Sequence, residues 1–270
     1  MAAAAPRNPS IDRFLADRRA GRGKPHTHTR IRNEKARVAG GSFNVEVEDE
    51  ATMHSLYYKK VFGARTAEHL TEKQLVDDGP LLVDIDLRYA PEVTERQHTK
   101  EHIEDLVLAY LDQIDGLLEI PDGKQITITV MQKKTVNRQE DKTKDGIHMV
   151  FGMKTPRATN LMLRKRMLKE IANVWEDLPI TNTWDDVLDE GVAKGSVNWQ
   201  MYGSCKPGNQ AYLVTQHFIA SKSEGAWTPE ETEMARFNTQ KMLPKLSARY
   251  RGHPSFPLKA EHREEFMELT

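Results

Sequence analysis

The stretch Leu81-Leu82-Val83-Asp84-Ile85-Asp86-Leu87 constrains this chain more than any other. Its apolar content marks a buried strand, and the turn signal Asp78-Gly79-Pro80 opens it. Side chains alternate along a strand, so Asp84 and Asp86 share one face, with Cα atoms roughly 6.5–7 Å apart. An unpaired buried charge is costly. Two arrangements relieve it: a strand end where both acids reach water or pair with Arg88, or carboxylates that converge on cations ~3.5–4 Å apart.

Around this strand the hydrophobic pattern alternates between periods. Ser42 to Val47 reads as an alternating strand after Gly40-Gly41, and residues 50–62 as a helix. Residues 98–115 give the clearest helix, with Ile103, Leu106, Val107, Tyr110, Leu111 and Ile114 on one face. Ile126–Val130 is an alternating strand, 132–145 a polar loop and Ile147–Phe151 another strand. Thr159 to about Trp175 is a basic amphipathic helix, and a strand follows around 211–219. The order strand, helix, strand, strand, helix, strand indicates an α/β or α+β architecture.

Net charge is −1, yet the charges are segregated. Residues 1–40 carry ten Lys/Arg against three Asp/Glu, and 124–169 carry twelve against three. Residues 170–200 carry seven acids and one lysine. Such blocks suit a phosphate-rich ligand meeting carboxylate-held cations, or plain solvated helix faces. A single cysteine, Cys205, excludes an internal disulfide and a multi-cysteine zinc site. No adjacent base is legible that would make it a nucleophile. The sequence has no P-loop, no apolar run of membrane-spanning length and no signal-peptide pattern, so an intracellular protein is expected.

Three further places carry chemistry. His148 follows Lys144-Asp145-Gly146 and lies on the strand face opposite Ile147 and Met149. There it either contacts a phosphate or serves as a structural histidine, and Gly146 would let a ligand approach the backbone. Asp189, in Trp184-Asp185-Asp186-Val187-Leu188-Asp189-Glu190, is a third acid or part of a solvated helix face. Tyr202-Gly203-Ser204-Cys205-Lys206-Pro207-Gly208 is a rigid turn in which Ser204 and Lys206 can grip a triphosphate, or an ordinary surface turn. Tyr57, Tyr58, Trp175 and Trp199 are candidates for base stacking, with core packing the simpler role.

Taken in order, Asp84-Ile85-Asp86, Gly146-Ile147-His148 and Leu188-Asp189 resemble the archaeo-eukaryotic primase superfamily. Tyr202 to Lys206 and the Lys144-Asp145-Gly146-Ile147-His148 run resemble its viral branch, the primase half of the poxvirus-type primase–helicase of large DNA viruses. Thr27-His28-Thr29 with Gly40-Gly41-Ser42-Phe43 resembles that branch's N-terminal region more loosely. Gly146 stands where many members have serine. The likeness spans roughly residues 25–220.

The resemblance implies an α+β primase catalytic fold, with an RRM-like sheet packed against a second α/β unit. It implies a catalytic domain at 25–220, between a flexible basic N-terminus at 1–24 and a helical tail or linker at 221–270. It further implies a DNA primase, a nucleotidyltransferase making primers on single-stranded DNA from nucleoside triphosphates. Asp84, Asp86 and Asp189 would then hold two Mg2+ or Mn2+ ions. His148 and Lys206 would bind the nucleotide, with Ser204 and Arg88 as further contacts. The expected partners are a single-stranded DNA template and a replicative helicase, fused or recruited. Two other readings stay open: a metal-dependent nuclease on the same acids, and a non-catalytic single-stranded-DNA-binding module that keeps the fold.

Overall fold

The structure, a computed structural model, describes residues 10–270. Residues 1–9, the opening of the expected flexible basic N-terminus, lie outside the described residues. The chain begins with α1 (Ile11–Ala16), capped by Ser10, whose side chain accepts from the Arg13 N–H. Then come β1 (His28–Arg30) and β2 (Gly41–Phe43). The strand expected over 42–47 ends at Phe43, because Asn44 N–H turns to the Arg18 carbonyl and Val47–Asp49 winds into a 3-10 turn. α2 (Glu50–Tyr58) runs on through a π turn, Lys59–Gly63, and β3 (Leu70–Glu72) follows.

The second run contains β4 (Gly79–Tyr89), α3 (Lys100–Leu117), β5 (Gln125–Gln132), β6 (Asn137–Arg138), β7 (Thr143–Thr155) and α4 (Arg157–Val174). α3 starts where Thr99 and His102 form a reciprocal capping box. Two single-turn helices, α5 (Trp184–Val187) and α6 (Glu190–Ala193), precede β8 (Trp199–Gln200). β9 (Leu213–Ser223), β10 (Ala226–Glu231), α7 (Thr239–Met242) and α8 (Arg263–Leu269) complete the chain.

The fold is α+β, with two sheets. The larger has the order β10-β9-β5-β7-β4, with β6 beside β7, and every pairing is antiparallel. The smaller has the order β2-β1-β3-β8. Alternation divides the large sheet between two cores. Leu81, Val83, Ile85, Ile128, Met149 and Phe151 pack under α3 and α4. On the opposite face Leu82, Met131 and Val150 pack against α1, α2 and the small sheet through Phe14, Tyr57, Leu70 and Trp199. Asp84, Asp86 and His148 lie on that second face, in register at Asp84↔His148 and Asp86↔Gly146. The expected shared face for the two acids is therefore observed. The larger core alone fully buries more than twenty apolar side chains, and area removed from water is the main stabilising term.

The last part of the chain crosses both layers. Leu243, Leu246 and Ala248 enter the smaller core. Ser247 Oγ and the Ala248 N–H donate to the buried carboxylate of Glu72 in β3, at 2.6 and 2.9 Å. Further on, Lys154 pairs with Ser255 and Leu118 with Leu258. Among the described residues no helix is long and apolar enough to cross a membrane.

Candidate active site

A cleft of about 440 Å³ opens where the small sheet stops covering the large one. Asp84, Asp86, Gly146 and His148 form its floor, Asp189 closes one side, and Lys133, Lys144 and Lys206 rim it. Thr71, Trp199, Gln200 and Tyr212 complete the wall.

Local structure brings the third acid in. Leu188 bridges Ile85, and the Asp189 N–H donates to the Asp84 carbonyl at 3.1 Å, so residues 188–189 act as a short extra strand beside β4. Asp189 Oδ1 then caps α6 by accepting from the Val192 N–H at 2.8 Å. From α4, Arg164 reaches over and donates to the carbonyls of Leu188 and Asp185, both at 2.8 Å. It is a positioning residue for Asp189.

The electrostatics follow from that crowding. Burial, then repulsion by Asp189 and Asp86, pushes the Asp84 carboxyl up to about 7, against a partial pull-down by Lys133 and Lys206. Asp86 is better compensated, meeting Lys144 Nζ at 3.1 Å and Arg88 Nη2 at 3.3 Å. His148 Nε2 lies 3.4 Å from Asp84 Oδ1. Burial, aided by Lys133 and Lys206, holds the imidazole down to about 3, so it is neutral and the contact is not an ion pair. Burial and the neighbouring Lys206 and Lys144 also lower Lys133.

Aromatic packing fixes His148. Its ring stacks on Tyr212 at 3.6 Å between centroids and lies 4.3 Å from Trp199. Lys133 Nζ stands 5.0 Å from the Tyr212 ring centroid. Gly146 makes room for this tyrosine: a Cβ there would stand 2.2 Å from the Tyr212 hydroxyl. Tyr212 thus takes the space a side chain would need at position 146, while Gly146 itself still lines the cleft.

Of the residues singled out by sequence, Asp84, Asp86, Asp189, His148 and Lys206 come together in the cleft. Ser204 and Arg88 do not line it. Ser204 is fully buried; its Oγ accepts from the Leu70 N–H at 3.2 Å and shares a 2.8 Å hydrogen bond with the Tyr57 hydroxyl. It anchors the turn that presents Lys206. Arg88 sits beside Asp86 and 3.7 Å from Asp186. Tyr57 and Trp175 are core residues. Lys133 and Tyr212 escaped sequence reasoning. Lys133 had one signal, a lysine pair directly after an alternating strand; Tyr212 had none.

Among the described residues no three His, Cys, Asp or Glu side chains converge closely enough to hold a metal ion as they stand. The donor set nonetheless fits one in kind. It is all oxygen, as hard divalent cations require, and Asp84 faces two like charges that a cation would relieve.

The family model described as "C962R protein N-terminal AEP domain" matches residues 27–218. The chain is also similar to the "Putative helicase L207/L206" of Acanthamoeba polyphaga mimivirus, 25% identical over 188 residues. That alignment covers 68% of this chain and 19% of the mimivirus protein, so the chain spans about a fifth of that relative's length.

Proposed function

The chain belongs to the archaeo-eukaryotic primase (AEP) family, as a domain of the C962R kind, and on that premise we propose that it synthesises primers on single-stranded DNA from nucleoside triphosphates. One observation carries the reading: Asp84, Asp86 and Asp189 share a single cleft with three lysines, where a triphosphate can enter, while the fourth lining carboxylate, Asp145, is held by Arg96. Asp84, Asp86 and Asp189 would hold Mg2+ or Mn2+. Such ions, when bound, lower the pKa of an attacking 3′-hydroxyl and neutralise a departing pyrophosphate.

The chain's own groups do the rest. Lys206 and Lys133 offset phosphate charge as it develops in the cleft they both line. Neutral His148, clamped by Tyr212 and Trp199, offers a hydrogen bond without adding charge. Arg164 keeps Asp189 against β4. Residues 25–220 form the catalytic domain in this reading. An RRM-like sheet is supported by β7 lying between β4 and β5 as in a split β-α-β unit; the fourth strand of such a unit would border β4. β9 joins beside β5. The name of the mimivirus relative supports a helicase partner, fused or recruited.

The test is primer synthesis on single-stranded DNA with labelled ribo- and deoxyribonucleotides, in Mg2+ or Mn2+. Wild type should make short products, and the Asp84→Ala/Asp86→Ala protein none while still unfolding cooperatively. Synthesis by the double variant would overturn the reading. The present spacing of the carboxylates favours a second reading, a binding module without catalysis. Calorimetry separates the two: binding of single-stranded DNA with no uptake of Mg2+ or Mn2+ at millimolar concentration selects the module.

A further inference from the structure

The small sheet has one packed face and one open face. His28, Arg30, Phe43, Leu70, Glu72 and Trp199 point inward and are buried. Their neighbours point the other way. The registers Thr29↔Ser42, Thr29↔Thr71 and Thr71↔Gln200 set four side chains side by side across all four strands. Directly opposed residues of antiparallel strands lie ~4.5–5.5 Å apart. The result is one continuous row, Ser42–Thr29–Thr71–Gln200, and each member remains partly exposed.

The row is short-chained, uncharged and free of carboxylates. Asn198 lies along it and donates to Thr71 Oγ1 at 3.1 Å and to Thr29 Oγ1 at 3.4 Å. One end runs into the catalytic cleft, which Thr71, Asn198 and Gln200 also line. The other end reaches the β1–β2 loop, residues 31–40, where Arg19, Arg32 and Arg37 cluster. Arg32 is 73% exposed and pairs with the similarly exposed Glu34 at 3.0 Å. The loop is tied to the cleft's own turn: Asn33 Nδ2 meets His69 Nε2 at 2.9 Å, and the same imidazole contacts the Cys205 carbonyl, next to Lys206.

We propose that this open sheet face is the track of the single-stranded DNA template, running from the cleft along Gln200, Thr71, Thr29 and Ser42 to the arginines of the 31–40 loop. Ser, Thr, Asn and Gln side chains position a strand through its phosphates and sugars without reading sequence. Arginines at the far end supply the charge-assisted contacts that give affinity. The row is one side chain wide and its cations stand at its two ends. That matches one backbone rather than the two that a duplex presents. The proposal rests on the reading of the cleft as a site that works on nucleic acid, but its test is made on binding.

The experiment is fluorescence anisotropy of a labelled oligo-dT with the full chain over a range of salt, beside a duplex of the same length. Two variants are compared with wild type. Thr29→Glu/Ser42→Glu puts charge on the track away from the cleft. Arg32→Ala/Arg37→Ala changes exposed side chains only, so it folds even if the first variant does not. Wild type should prefer the single strand. The glutamate variant should lose tenfold or more in affinity. The arginine variant should flatten the log–log salt slope by about 1.4, from roughly 0.7 for each single-strand phosphate that is no longer neutralised. Wild-type affinity and slope in the arginine variant, or equal binding of duplex, would overturn the track. The pattern without primer synthesis keeps the track and removes the catalytic reading. Synthesis without the pattern does the reverse.

Discussion

Burial and two neighbouring acids make the charged form of Asp84 unfavourable. Its carboxyl titrates at about 7 in the folded chain, against an ordinary 3.8. Between those values the folded state holds a proton that the unfolded state has released. Stability therefore falls as pH rises from about 4 to about 7, and stays lowered above that. Asp84→Asn removes this term. It should melt a few degrees above wild type at pH 8, with the gap closing as pH falls toward 4. Equal melting temperatures at both ends would remove the argument. His148 works in the opposite direction, adding stability as pH rises through its depressed range, but it does so in both proteins and cancels. Gaining stability by losing a charged site residue is the usual sign of a site kept for function. At this scale the sequence was readable where chemistry is written in spacing. Asp84 and Asp86 announce themselves by two acids in an apolar strand. Ser204 does not: its neighbours suggest a phosphate grip, and only the approach of Tyr57 and Leu70 turns it inward. Tyr212 was illegible because its meaning depends on Gly146, far away in the chain.

Among the elements, the π turn at Lys59–Gly63 and the turn at 201–206 support each other. Phe62 packs on Tyr202 with ring centroids 5.1 Å apart. Gly203 has φ +84°, and a Cβ there would stand 2.7 Å from Phe62 Cζ and 2.9 Å from Val61 Cγ1. Gly203→Ala should therefore cost roughly 1–3 kcal/mol from backbone strain and crowding together. It should also weaken nucleoside triphosphate binding, because the turn presents Lys206. Urea denaturation and nucleotide titration check the two effects, and a variant with wild-type values in both would show that the turn is not so constrained. The long helices and strands were legible because period 3.6 and period 2 are strong over ten residues or more. α3 and α4 lie within two residues of their expected starts. β8 was not legible, since two residues carry no period. Residues 188–189 were not legible either, as they become a strand only by meeting β4.

In the whole molecule, the family match ends at residue 218 while the cores do not. β10 completes the large sheet, and the segment from Leu243 to Leu258 straps both layers together. A chain ending at residue 220 would leave Glu72 buried without Ser247 and the Ala248 N–H, and would open the smaller core at Leu243, Leu246 and Ala248. Hydrogen bonds to a charged group are worth about 1.5–3 kcal/mol each, and His28 at 3.6 Å would remain beside the carboxylate. Such a chain should collect in the insoluble fraction or melt well below the full protein; a soluble, cooperative unfolder with the full-length melting temperature would show the strap to be dispensable. The same wiring fixes an order of events. The floor of the cleft comes from the continuous stretch between β4 and α4, whose strands and helices meet near neighbours. The wall is closed by pairs far apart in the chain: Thr71 with Asn198 at 127 residues, His69 with Cys205 at 136, Glu72 with Ser247 at 175. Loops of that length close late, after local structure has formed. A chain emerging from the ribosome thus carries its acidic strand early, yet has no cleft in which to use it until the tail has been made and has folded back.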